Sequence, residues 1–311
     1  MTNFIAILNI VLPVFLVIGL GALLKYLRLI NEEFLQQTNR LVFYVALPLL
    51  LFYKIGTADF RANFDARLVL GSSLAIVLAF FLSYGYATLR GYAPAMRGAF
   101  SQGAFRGNLA YVGLAIAFNA YGEPGLTRAG ILMGFLVPVL NLCAISALLL
   151  PQRGNEAGTP AIFWVRQLAL NPLIIASFLG IAWSFFNWSL PVAVEGGLRI
   201  VGGMTLPLAL LAIGGSFSAA RLRGDLVAAS IATLFKLIGV PLLAAFLLTL
   251  LGVEGINLAV GIVLAGTPSA TANYILAHQL KGDAQLSGSI IMLSTLASAL
   301  SYTLILLLLG V

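Results

Sequence analysis

The chain has 311 residues, of which 61% are hydrophobic and only 9% are charged. Soluble proteins carry about 25% charged residues, so the composition excludes a water-solvated globular enzyme and a disordered chain. The single cysteine, Cys143, excludes a disulfide scaffold, and the net charge of +7 comes from basic residues scattered through short segments rather than from a nucleic-acid-binding stripe.

A bilayer span takes roughly 20 apolar residues. Apolar stretches bounded by charges or Gly/Pro turns predict spans at residues 4–27, 34–55, 68–89, 97–121 and 126–150. A polar linker follows at 151–160, and then spans at 161–188, 192–217, 226–251, 255–279 and 286–309. The first span has no basic residue before it, while Lys25 and Arg28 come after it. That is the reverse of a cleaved signal peptide and places the N-terminus outside.

Loops after odd-numbered spans carry Lys25, Arg28, Arg90, Arg97, Arg153, Arg166, Arg221, Arg223 and Lys281. Opposite loops carry Lys54, Arg61, Arg67, Arg128 and Arg199. The richer set is expected on the cytoplasmic side, with both termini outside a cell (inner) membrane.

The linker separates residues 1–150 from 161–311, and the two stretches share landmarks at a steady spacing. Pro13 and Pro172 lie 159 apart, as do Pro48 and Pro207; Gly122 and Gly282 lie 160 apart. Five spans per half force the second half to enter from the opposite face. The expected fold is therefore all-α and membrane-integral, with ten transmembrane helices in two inverted five-helix repeats.

In such folds the binding site lies at mid-membrane, where helices are interrupted. Span 4 carries Gly103, Arg106, Gly107, Asn108, Tyr111 and Gly113; span 9 carries Gly266, Thr267, Pro268, Ser269, Thr271 and Asn273. Breaks are expected at Gly107, Gly113 and Pro268, because proline removes a helix hydrogen bond and glycine weakens the helix. Two half-helix N-termini would then offer positive dipole ends to an anion. The competing reading is that Gly103 and Gly107 form a GxxxG packing face. Candidate substrate-binding residues are Asn108, Tyr111, Gly113, Asn141, Lys236, Thr267, Pro268, Ser269 and Asn273.

Lys236 and Arg106 fall within apolar segments, where a cation is costly. Each either attracts a substrate anion, replaces a coupling cation as a fixed charge, snorkels toward the interface, or satisfies carbonyls freed at a break. Asn141 binds substrate or an interhelical partner. His278, at the end of span 9, reads as a cap or surface residue, and Cys143 as packing. Every Asp and Glu falls in a loop or at a span end, which weakens a cation/proton antiporter reading. No metal spacing, P-loop, nucleophile elbow or dinucleotide fingerprint occurs, so neither a metal, a cofactor nor an enzymatic activity is expected.

Residues 39–48 (Asn-Arg-Leu-Val-Phe-Tyr-Val-Ala-Leu-Pro) with Leu51 and Phe52, residues 105–113 (Phe-Arg-Gly-Asn-Leu-Ala-Tyr-Val-Gly) and residues 267–270 (Thr-Pro-Ser-Ala) resemble the auxin efflux carrier family. These are bacterial relatives of the plant PIN-formed carriers, within the bile/arsenite/riboflavin-type transporter superfamily. The resemblance covers essentially the whole chain. It implies a dimerising scaffold of spans 1, 2, 6 and 7 and a transport unit of spans 3–5 and 8–10, which moves as an elevator. It implies that broken spans 4 and 9 cross, and that Asn108 matches a substrate-contacting Asn. Two departures stand out: Leu114 follows Gly113 where the family often has proline, and Asn273 stands where plant members have a second span 9 proline. The implied activity is secondary transport of a small organic anion, an auxin-like acid or a dicarboxylate, with H⁺ or Na⁺ as the coupling ion and a homodimer as the assembly. Alternatives are a sodium-coupled symporter of the bile-acid type and, from another class, an anion channel or a non-transporting sensor.

Overall fold

The computed structural model describes residues 2–152, 169–217 and 225–310. Regular structure among them is helical, apart from one isolated bridge. Helix α1 covers Thr2–Tyr26. Asn31 caps α2 (Glu32–Leu41) by accepting from Phe34 N, and α2 passes through a π turn at Val42–Ala46 into α3 (Leu47–Gly56). Pro48 accounts for the widened turn, because it has no N–H to give the carbonyl one turn back, at Tyr44. The short α4 (Phe60–Asn63) and the long α5 (Ala66–Leu89) follow, capped by Asp59 and Asp65.

Helix α6 (Pro94–Phe105) stops abruptly; a π turn at Leu109–Gly113 then opens α7 (Leu114–Leu149). Helix α7 is two legs joined at Gly122, whose φ of +61° and ψ of −151° suit only a residue without Cβ. This joint separates the elements expected at 97–121 and 126–150. Helices α8 (Pro172–Phe185) and α9 (Val192–Gly215) come next. Then α10 (Leu226–Leu234) runs through a π turn at Phe235–Gly239 into α11 (Val240–Leu250), with Pro241 missing the bond to Leu237 just as Pro48 does to Tyr44. The chain closes with α12 (Gly255–Ala265), α13 (Ala272–Gln279) and α14 (Ala284–Leu308).

Among the described residues, seven helices are long and apolar enough to cross a membrane: 4–26, 32–56, 66–89, 109–152, 192–215, 226–250 and 284–308. Pro172–Phe185 and Gly255–Ala265 are apolar but shorter. Their outer faces keep large apolar side chains exposed, with Leu16 at 61%, Phe81 at 62% and Leu300 at 75%. That is the surface lipid requires and water penalises. The protein is an all-helical membrane protein. Most of the linker expected at 151–160 and the start of the span expected at 161–188 lie outside the described residues, as do Arg153, Arg166, Arg221 and Arg223.

The helices pack in two groups. Helix α1 lies along α9, and α3 lies along α8 and α9. In the other group α5 packs on α6 and α11, α12 on α11, and α14 on α10 and α13. Helix α7 touches both, resting on α6 and α12 as well as on α1, α3 and α8.

Candidate functional site

The chain leaves helical geometry at Arg106–Asn108 and again after Gly266, and the two interruptions meet. Gly107 and Ser269 form an antiparallel bridge. Asn108 N donates to Pro268 O at 2.8 Å, and Ala270 N donates to Arg106 O at 3.0 Å. In hydrocarbon an unpaired peptide group costs several kcal/mol, so each break supplies the partners the other lacks. Pro268 fits because it brings no N–H to satisfy. Gly107 is required by proximity: a Cβ there would lie 2.0 Å from Thr267 Oγ1.

Side chains complete the cross-brace. Asn273 Nδ2 donates to Ser269 Oγ at 2.8 Å and to Arg106 O at 3.3 Å. Its Oδ1 accepts from Gln102 Nε2 at 3.0 Å and from Arg106 Nη1 at 3.3 Å. Ser294 Oγ accepts from Ser269 N, and Thr267 Oγ1 donates back to Leu264 O. Thr267, Ser269 and Asn273 are each no more than 1% exposed.

Beside the brace lies a cavity of about 250 Å³. Its wall includes Arg106, Asn108, Tyr111, Asn141, Thr271 and Phe43. The chain restarts as a helix on both sides of it, at Leu109 and at Ala272. The leading N–H groups of a helix have no intrahelical acceptor and carry a partial positive charge. Asn108 Oδ1 caps one of them, Tyr111 N, at 3.3 Å, which leaves the Asn108 amide N–H₂ as a donor. Tyr111 Oη donates to Asn39 Oδ1 at 3.3 Å and ties the restarted helix to α2.

Arg106 provides the full charge. Its Nη2 donates to Asn141 Oδ1 at 2.7 Å and its Nη1 to Asn273, both neutral amides. Among the described residues the ion pairs lie elsewhere, at Lys25–Glu32, Lys54–Glu123 and Arg67–Asp65. A guanidinium has five donors in a planar fork suited to a carboxylate. The cavity therefore holds a cation, two helix N-termini and four amide side chains (Asn108, Asn141, Asn171 and Gln279), with no acid. Its groups are donors and positive ends, which chemically suit a small anion.

The residues expected at the site divide into two sets. Asn108, Tyr111 and Asn141 line the cavity. Thr267, Pro268, Ser269 and Asn273 form the brace behind it. Lys236 is 1% exposed and faces a separate void, donating to Ala265 O at 2.5 Å. Gly113 takes helical torsions (φ −61°, ψ −49°), so the chain breaks at Gly107 and Pro268 and not at Gly113. The sequence pattern does not single out Phe43, Asn171 or Gln102, and it places Thr271 at the span 9 interruption without assigning it to the site. From the sequence, Arg106 is a charge of undecided role. The proline after residues 42–46 was the available pointer to the π turn that carries Phe43.

This architecture defines a multi-pass helical membrane protein. Residues 6–306 match the family model described as membrane transport protein, and the chain belongs to that family, the auxin efflux carrier type. It is 28% identical to an uncharacterized transporter of Methanothermobacter thermautotrophicus over 94% of each chain. It is also 25% identical to a putative malonate transporter of Rhizobium meliloti, over 96% of this chain and 94% of that one. A further uncharacterized transporter, from Methanocaldococcus jannaschii, is 24% identical over 94% of this chain and 96% of its own. The protein is a transporter and not an enzyme.

Proposed function

We propose that the protein is a secondary carrier of a small organic anion, of the short dicarboxylate class, that works by elevator-type alternating access. The observation that carries the reading is Arg106: a membrane-embedded guanidinium on the cavity wall whose partners are amides rather than acids. An anionic guest removes the cost of that lone charge and takes up the remaining guanidinium donors. The putative malonate transporter among its relatives fits the same ligand class.

We read the fold as ten spans in two inverted repeats of residues 1–150 and 161–311, with broken spans 4 and 9 crossing at the site. A second cavity, of about 350 Å³, supports this. The wall of the first cavity includes Phe43, Leu173, Ile275 and Gln279. Stepping back by 160 from Ile275 and Gln279 gives Ala115 and Asn119; stepping by 159 relates Leu173 to Val14 and Phe43 to Gly202. All four of these line the second cavity. The first cavity reaches the α8 N-cap Asn171 and the end of α13 at Gln279, while the second reaches Lys54 near the end of α3. Two cavities related by the repeat, one at Phe43 in the middle of the α2–α3 segment and one at Leu50–Lys54 toward its end, fit an inner and an outer vestibule. The group of α1, α3, α8 and α9 is then the scaffold, which would also carry the homodimer contact. The remaining helices form the moving unit, and both termini lie outside.

The test is uptake into proteoliposomes. Labelled malonate is expected to enter saturably, with Arg106→Gln reducing uptake at sub-saturating substrate by about 30-fold or more, the equivalent of ~2 kcal/mol for removing one partner of a buried charge contact. Full uptake by Arg106→Gln would refute the site, and electrical conductance without saturation would refute the carrier.

A further inference from the structure

Lys236 has no part in the anion site, yet it is the most deeply buried cation among the described residues. Its side chain is enclosed at 1% exposure, in the π turn between α10 and α11. Its Nζ donates to Ala265 O at 2.5 Å. Ala265 is the last residue of α12, and its carbonyl belongs to the set left without intrahelical donors where the helix stops. The negative end of the α12 dipole therefore rests on an ammonium.

The surroundings are built for a cation held by neutral oxygens. A Cβ on Gly107 would sit 3.3 Å from Lys236 Nζ and 2.0 Å from Thr267 Oγ1, so the ammonium reaches the point where the two breaks cross. A void of about 20 Å³ adjoins Lys236 and Ala265. Ser72 lines the same void, and its Oγ, on a residue only 6% exposed, has no hydrogen-bond partner. A carbonyl at a helix C-terminus, a threonine hydroxyl and an unpartnered serine hydroxyl are hard oxygen donors of the kind that hold a small monovalent cation. No carboxylate pairs with the ammonium among the described residues.

We propose that Lys236 is a tethered cation: it supplies, on a side chain, the positive charge that would otherwise have to come from a free monovalent ion at the crossing of the two breaks. Two consequences follow. The native protein needs no bound sodium or potassium to hold its breaks together. Shortening the side chain creates a site for one, lined by Ala265 O, Thr267 and Ser72.

The experiment is thermal unfolding of the purified full chain in detergent, in sodium, potassium, methylammonium or choline chloride at one fixed ionic strength. Wild-type Tm is expected to be the same in all four salts. Lys236→Ala is expected to unfold several degrees lower in choline, and to recover part of that loss in methylammonium or in one of the inorganic salts, with a saturating concentration dependence. Lys236→Gln, which keeps a donor for Ala265 O but no charge, is expected to respond in the same direction. A wild-type Tm that rises selectively in sodium or potassium would overturn the proposal, as would variants with no cation response. If both variants fail to fold, the wild-type comparison still decides. Stability is read without substrate, so failure here leaves the anion-carrier reading standing, and failed uptake leaves this result standing.

Discussion

The two helix breaks at the centre of the molecule solve the same problem with different residues. The first, Arg106–Asn108, carries a full charge, a glycine and an amide, and it faces the cavity. The second, Gly266–Thr271, carries proline and small hydroxyl residues; its Thr267, Pro268 and Ser269 stay behind the first. One break lines the cavity with polar groups, where we place the guest, and the other supplies the oxygens and amides that hold that presenting strand in place. Removing a presenting group should therefore cost binding at little cost in stability, and removing a holding group should do the reverse.

The largest stability effect is expected where the two breaks touch. Gly107→Ala would drive a Cβ to 2.0 Å from Thr267 Oγ1, and the paired strands must separate to admit it. The Tm should fall by more than for Gly113→Ala, whose Cβ meets Leu264 and Thr267 at the longer distances of 2.7 and 2.9 Å. Equal Tm values for the two variants would show that the breaks are not held at that distance. Next comes Asn273→Ala, which frees Gln102 Nε2, Arg106 Nη1 and Ser269 Oγ at once. Unfolding should cost about 3 kcal/mol, the upper part of the range for orphaned buried polar groups. Asn108→Ala, on the presenting side, should cost only ~1 kcal/mol for its lost cap, while malonate uptake falls at least about tenfold, or 1.4 kcal/mol.

Smaller effects test the vestibules. Lys54 and Glu123 pair between α3 and the Gly122 joint, at the second cavity. Glu123→Gln should change stability by no more than ~1 kcal/mol, since Glu123 is exposed. It should nonetheless raise the labelling rate of a cysteine placed at Ala115, measured in a Cys143→Ala background, because the pair lies on the wall of the same cavity. The smallest effect concerns the Asp65 cap. Burial alone would raise its carboxyl, but the N–H groups of Arg67 and Leu68 and the Asn257 amide outweigh that and hold it below the usual carboxylate range. A group depressed in the folded state stabilises fully above its unfolded value and loses that contribution as pH falls through the folded one. The Tm difference between wild type and Asp65→Asn should therefore shrink on acidification, as a Tm series from neutral to acid pH would show.

Much of this was legible in the sequence because depth in a bilayer is written in one dimension. Apolar runs located the long helices, and Gly107 and Pro268, 161 residues apart, located both breaks. Direction was not legible. Arg106 and Lys236 both fall within apolar segments, and the sequence favoured Lys236 for the substrate; in the structure Arg106 faces the cavity and Lys236 faces away. Which way a side chain points after a break depends on the torsions of the break itself, and composition does not encode them. The π turns were hidden for a related reason: Pro48 and Pro241 announce a missing hydrogen bond, but a kink and a widened turn answer that loss equally well. Gly113 reads as a breaking residue because glycine destabilises a helix, yet it takes helical torsions.

Calorimetric titration of malonate into the purified wild type and into Arg106→Gln tests the central claim, that an unpaired guanidinium in the membrane awaits an anionic guest. The account predicts saturable binding to the wild type and none detectable to the variant, with the two Tm values close together in the absence of ligand. Equal affinity in both proteins would show that the charge at Arg106 serves the brace alone, and the anion site would have to be sought elsewhere.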